Sequence, residues 1–168
     1  NGDHYELRNY NPHGSNLNTY PAVYRGILNF FGDIWTFIRD VAIINRNVNY
    51  NSVYLLKKSV NHSDITIDNI QDKCYFIGDQ ANTNNFITEF DFRFGPYFVP
   101  NKVGTNKKAD YNWKRGNDGQ DTDKAVRVLL LGGCATDGSA AGSGGFDSDW
   151  VRSASVAYVG FFTTVKLD

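Results

Sequence analysis

Apolar and polar positions along this chain alternate in short bursts rather than in long helical stripes. The clearest burst is Phe31–Ile44, FGDIWTFIRDVAII, where Ile34, Thr36, Ile38 and Asp40 alternate with Trp35, Phe37 and Arg39. Period-two alternation in a run rich in β-branched and aromatic residues predicts a strand, mostly buried, with Trp35 and Phe37 in the core. Val53–Leu56, after the turn-forming NVNYN, predicts a second strand paired with the first. Cys74–Ile77, Val126–Leu131 and Ser155–Val165 predict three more. Phe90–Phe94, FDFRF, also alternates, either as a strand or as a loop plugged into the core by its aromatics, and Gly95-Pro96 breaks it. Helical spacing is confined to one stretch. Pro21 suits a first helical turn, Tyr24, Ile27, Leu28 and Phe31 would share a face, and Gly32 would cap it.

Polar stretches separate these bursts. Residues 1–20 have no periodicity and read as an extended arm, followed by a single domain over 21–168. Residues 57–73 alternate only weakly, and Asp79–Asn85 is a loop by composition. Residues 101–124 are long, polar and punctuated by glycine, with Tyr111 and Trp113 as anchors or as contacts for a partner. The sharpest change follows Leu129–Leu131, where the chain becomes GGCATDGSAAGSGG before Phe146. Closely flanked by strands, this segment reads as part of the domain rather than as a linker. It lacks the Gly-Lys-Ser/Thr ending of a phosphate loop. The pattern as a whole predicts an α+β domain with few helices, short antiparallel strands and long loops.

Composition narrows the function classes. The 168 residues are 41% hydrophobic and 15% aromatic, enough for one packed core. Seventeen Lys and Arg against 18 Asp and Glu leave a net charge of −1. Lys57-Lys58 and Lys107-Lys108 are isolated basic pairs, so no nucleic-acid partner is expected. No run approaches the ~20 apolar residues of a membrane span. The chain has no methionine, even at position 1, and the expectation is that it is the C-terminal portion of a longer protein. Cys74 and Cys134 suit neither a disulfide framework nor a metal motif and read as two thiols. His4, His13 and His62 share no ligand spacing, so neither metal nor cofactor is expected. No nucleophile–base pair or carboxylate pair with catalytic spacing is evident, which argues against an enzyme.

Two stretches resemble one family. YRGILNFFGDIWTFIRD, Tyr24–Asp40, is similar to a segment of C-type-lectin-fold proteins of bacteriophages and to a strand of the formylglycine-generating-enzyme superfamily. RVLLLGG followed by the glycine-rich run and SASVAYVGF, Arg127–Phe161, resembles the C-terminal end of variable proteins of diversity-generating retroelements and related phage receptor-binding proteins. GPYFVPNKVG, Gly95–Gly104, is similar to the segment that joins them, so the resemblance spans about residues 20–168. The chain departs from the family in ending Gly160-Phe161-Phe162 where Gly-Phe-Arg is common, and in a display set that is mixed rather than rich in asparagine. Of the cysteine pair that formylglycine-generating enzymes carry near the C-terminus, only Cys134 is present in that region.

The resemblance implies a C-type lectin fold in which the leucine-rich strand is buried scaffold and the following segment is an exposed binding face. Gly132, Gly133, Gly138 and Gly142 would fix its backbone. The display positions would be Cys134, Thr136, Asp137, Ala140, Ser143, Gly144, Gly145, Asp147, Asp149, Trp150, Val151, Arg152, Ala154, Val156 and Tyr158, with Trp150 equally readable as core. Strand alternation agrees in part, placing Ala154, Val156 and Tyr158 on one face and Ser155, Ala157 and Val159 on the other. The implied function is attachment of a phage virion to a bacterial surface protein or glycan, without calcium, by a homotrimer on the virion surface. The alternatives are a virion decoration protein whose face binds another virion protein, and a variable protein displayed on a bacterial cell surface.

Overall fold

The computed structural model describes residues 35–45, 50–94, 97–105, 110–113, 125–134, 137, 140, 142 and 144–152, together with the strand residues 23–24, 27–28 and 159–160. Strands β1 (Val23–Tyr24) and β2 (Ile27–Leu28) form a small antiparallel pair with Val23 opposite Leu28. This corrects the helix expected from Pro21 to Phe31. Tyr24, Ile27 and Leu28 fit helical spacing, but strands separated in sequence by only Arg25-Gly26 fit a hairpin equally well.

The main sheet holds nine strands. These are β3 (Trp35–Asn45), β4 (Tyr50–Leu56), β5 (Cys74–Ala81), β6 (Asn85–Asp91), β7 (Val99–Gly104), β8 (Tyr111–Trp113), β9 (Arg127–Leu131), β10 (Phe146–Asp147) and β11 (Val159–Gly160). Their order is β5-β4-β3-β9-β10-β8-β6-β7, with β11 running parallel to the start of β3. Helical structure among the described residues comprises a 3₁₀ turn at His62–Asp64, a single turn α1 (Ile70–Lys73), and 3₁₀ conformation at Asp137 and Ala140. The protein is thus sheet-rich with very few helices, as the alternation implied.

Alternation decides what each strand buries. On β3, Val41 and Ile43 point to one side with Val53, Ile77, Ile87, Val99, Leu129 and Phe146. Ala42 and Ile44 point to the other, where Tyr54, Leu56, Ile65, Ile70 and Cys74 close a second cluster beneath the 60–73 segment. A third cluster, Trp35, Val128, Leu130 and Cys134, is flanked by Phe37, Trp113 and Trp150. Each fully buried aliphatic or aromatic side chain contributes about 1.5–3 kcal/mol. The first cluster draws on both ends of the strand order, so the sheet is curled around it. The ends meet where Gly78 of β5 lies against Val99 of β7, and a Cβ at Gly78 would stand 3.2 Å from Val99 Cγ2.

Two loop expectations are also corrected. Asp79 and Gln80 belong to β5, opposite Ser52 and Asn51 of β4, because their polar side chains find partners inside the sheet. Ser52 donates to Asp79 Oδ1 at 2.9 Å, and Gln80 Nε2 donates to Asn112 Oδ1 at 2.7 Å. Within 101–124, Asn101–Gly104 continues β7 and Tyr111–Trp113 forms β8. Phe90 lies on β6, whereas Phe92 and Phe94 beyond it are exposed.

Candidate functional site

The described residues of the glycine-rich run are pinned to one another and close its two ends together. As β9 ends, Gly132 and Gly133 take φ of 102° and 81°, the left-handed region that costs a residue with a Cβ. Gly132 N–H donates to Gly145 O at 3.0 Å, Gly142 N–H to Gly132 O at 3.1 Å, and Gly145 N–H to Gly142 O at 2.9 Å. Cys134 and Asp137 bond reciprocally. Asp137 N–H donates to Cys134 O at 3.0 Å, and Cys134 N–H donates to Asp137 Oδ2 at 2.6 Å.

Asp110 holds the loop from outside. Its Oδ2 accepts from Gly144 N–H at 2.8 Å, while its own carbonyl accepts from Ile87 N–H on β6 at 2.7 Å. A Cβ at Gly142 would land on Asp110 Oδ1, and one at Gly144 would meet Asp110 Oδ2 and Phe90. Both positions therefore hold glycine so that a carboxylate can enter the loop.

The return segment is clamped just as firmly. Phe146 and Asp147 pair antiparallel with Leu131 and Leu130, and Val151 bridges Arg127. Three residues on this segment thus face two on β9, a bulge that re-aims side chains. Asp147 sits under the bulge, buried, accepting Asp149 N–H at 2.7 Å and the Trp150 indole N–H at 3.0 Å. Burial pushes its carboxyl up to about 7, although both donors favour the ionised form. Buried Arg127 donates to Asp149 O at 2.8 Å, and Val128 N–H donates to Trp150 O at 2.9 Å. A polar seam continues inward. Ser148 Oγ donates to Trp113 O at 3.3 Å, Asn51 Nδ2 donates to Ser148 Oγ at 3.4 Å, and Asn112 Nδ2 donates to Ala81 O at 2.9 Å.

Of the fifteen expected display positions, Thr136, Ser143, Ala154, Val156 and Tyr158 lie outside the described residues. Cys134, Gly144, Gly145 and Asp147 are buried, so their side chains or backbone build the loop rather than face outward. Asp137, Ala140, Asp149, Trp150 and Val151 are half-buried, and Arg152 is exposed with Nη1 donating to His62 O at 3.2 Å. Asp137 and Trp150 are committed to loop and core contacts. Ala140, Val151 and Arg152 are the positions best placed to face a ligand. Cys74 and Cys134 are both buried and are not joined by a disulfide.

Asp110 and Arg127 were not anticipated as shapers of this site. Asp110 lies 34 residues from its partner Gly144, beyond the reach of any local pattern. Among the described residues, no group of three or more His, Cys, Asp or Glu side chains is placed to hold a metal ion, and no helix is long and apolar enough to cross a membrane. No protein-family model, curated protein or solved structure matches the chain.

Proposed function

We propose that this chain is a recognition domain of the C-type-lectin class, carried on a phage virion, that binds a bacterial surface receptor through the face around the 132–152 segment. The observation that carries the reading is the pinned loop: a glycine-rich segment set directly on a buried strand and fixed by Gly132, Gly145 and Asp110. Ordering a loop before binding lowers the entropic cost of association. A rigid scaffold that presents variable loop positions is the usual division of labour in binding proteins. The resemblance of Tyr24–Asp40 and Arg127–Phe161 to phage receptor-binding and retroelement-variable proteins supplies the virion and the bacterial receptor. Several copies per particle, as in a homotrimeric fibre tip, would raise avidity by ~10²–10⁴ over a single site.

The test is adsorption of the purified chain to a panel of bacterial strains, beside a variant carrying Ala140→Arg and Arg152→Glu. Both residues lie outside the three apolar clusters, and an unchanged circular-dichroism spectrum checks that the variant is folded. Strain-selective adsorption should fall at least about tenfold in the variant and should persist in excess chelator. Undiminished adsorption of the variant would remove the binding face from this segment.

A further inference from the structure

One backbone oxygen ties the 3₁₀ turn His62–Asp64 to the exposed end of the 144–152 segment. The His62 carbonyl closes the turn by accepting Ile65 N–H at 3.2 Å, and it also accepts Arg152 Nη1 at 3.2 Å. Behind the turn, Ile65 is buried in the second apolar cluster. Ahead of it, Ser59 holds a φ of 69°, in the left-handed region that a residue with a Cβ rarely adopts. The turn is therefore anchored at one end and entered through a hinge at the other.

The His62 ring suits this place while it is neutral. Both of its nitrogens are buried, and neither makes a well-formed hydrogen bond. Burial is the strongest influence on its proton and lowers its pKa from the ordinary 6.5. The carbonyl of Arg127 on β9 favours the proton, the Arg152 guanidinium opposes it as a like charge, and the carbonyl of Val41 on β3 favours it again. The other charged groups on the elements that meet here are engaged elsewhere. Asp64 accepts from Ser63 Oγ at 3.2 Å. Arg39 and Asp40, on the stretch of β3 where the register against β9 shifts, stand 4.0 Å apart as an exposed pair. The buried Arg127 guanidinium donates to Asp149 O, and the Asp147 carboxylate accepts Asp149 N–H and the Trp150 indole. An imidazolium at His62 would thus be a partly buried cation beside a second cation, which favours its expulsion to water.

We infer that His62 is a proton-operated latch on Arg152: protonation of its ring swings the Asn61–Asp64 turn outward about Ser59 and removes the carbonyl that holds the Arg152 guanidinium. The latch is closed while the ring is neutral and opens as pH falls. Ile65 and Ile70 stay in their cluster, so the motion is confined to the turn. The inference concerns how the segment is held, and it stands apart from whether that face meets a receptor.

The experiment is an NMR titration of the full chain from about pH 7.5 to about 4.5, across the range in which histidine changes charge. It follows the His62 ring, the Ile65 amide and the Arg152 Nε–H. One shared midpoint below 6.5 is expected for all three. Arg152→Ala should raise the His62 midpoint, because the like charge is gone. His62→Gln should abolish the transition at Ile65 and Arg152, and Asp147→Asn should leave it in place. Arg152→Ala removes only an exposed side chain and decides the question if His62→Gln does not fold. A His62 midpoint at or above 6.5, a midpoint that Arg152→Ala does not raise, or a transition at Arg152 that survives in His62→Gln would each overturn the latch. Loss of the transition in Asp147→Asn would assign it to that carboxylate and overturn the latch as well.

Discussion

The loop after β9 and the tip between β6 and β7 adjoin at Phe90 and Gly144, yet they are held by opposite means. The loop has almost no apolar side chains, and still Gly132, Gly133, Cys134, Gly144 and Gly145 are buried. Hydrogen bonds hold it, closing through Gly132, Gly142 and Gly145 and through the Asp110 carboxylate. The tip is built from phenylalanine and tyrosine, and its outer rings stay in water. Burial in this protein thus follows hydrogen-bond satisfaction in one place and fails to follow hydrophobicity in the other. A segment that satisfies its backbone internally packs closely because nothing projects from it. An aromatic segment at a hairpin end has no facing layer to enter.

The sharpest way to break this contrast is to add one side chain to the loop. In Gly142→Leu the new Cβ displaces the Asp110 carboxylate, which strands Gly144 N–H. A stranded buried donor and an overfilled loop together cost about 2–4 kcal/mol. Urea unfolding should show that loss as a lower midpoint at unchanged slope. In an Asp110→Ala background Gly142→Leu should cost clearly less than it does in the parent, because Gly144 N–H is already stranded there and the space the leucine enters is vacated. A full additive loss in the double variant would mean that Asp110 does not enter the loop.

The next effect lies at the join between loop and core. Asp147 is raised by burial to about 7 in the folded protein from an ordinary 3.8. The folded state therefore binds the extra proton between those values, so stability is greatest at the acid end of that window and falls as pH rises toward 7. His62 works in the other sense. Burial lowers its pKa, so its contribution is present above about 6.5 and is lost as pH falls. Between pH 5.5 and 7, Asp147 alone should lower stability by about 1–2 kcal/mol, at up to 1.4 kcal/mol per pH unit. Asp147→Asn should abolish that fall and leave only the opposite slope of His62. A variant that keeps the parent's pH profile would show that Asp147 titrates as an ordinary surface carboxylate.

Much of the scaffold was legible in the chain because strands β3, β4 and β9 bury what local alternation says they bury. Trp35, Val41, Ile43, Val53 and Leu129 are core because neighbouring positions point to opposite faces of one sheet. The Tyr24–Phe31 stretch misled because short helices and tight hairpins share its spacing, and the pairing of Val23 with Leu28 is settled by the hairpin itself. Gln80 and Asn112 looked like loop residues because their polarity is matched by partners distant in sequence, each other across 32 residues of chain among them. The site was legible as a segment but not in its interior. Glycine spacing marked 132–145, whereas the burial of Cys134 and Asp147 depends on Asp110 and on a bulge against β9 that no local pattern carries.

The smallest effect completes the contrast from the aromatic side. Phe94 is a large apolar residue, and its removal from a core would cost several kcal/mol. At the β6–β7 tip it is 48% exposed and outside all three apolar clusters. Phe94→Ser should therefore shift stability by less than about 0.5 kcal/mol, as ordinary surface substitutions do. Solubility should rise, since an exposed ring favours self-association. A loss above about 2 kcal/mol would place Phe94 in a covered position, and the tip would then belong to the core. If stability holds, the ring is kept at the surface for something other than folding, and the two neighbouring regions divide the work: one holds its shape, and the other presents a surface.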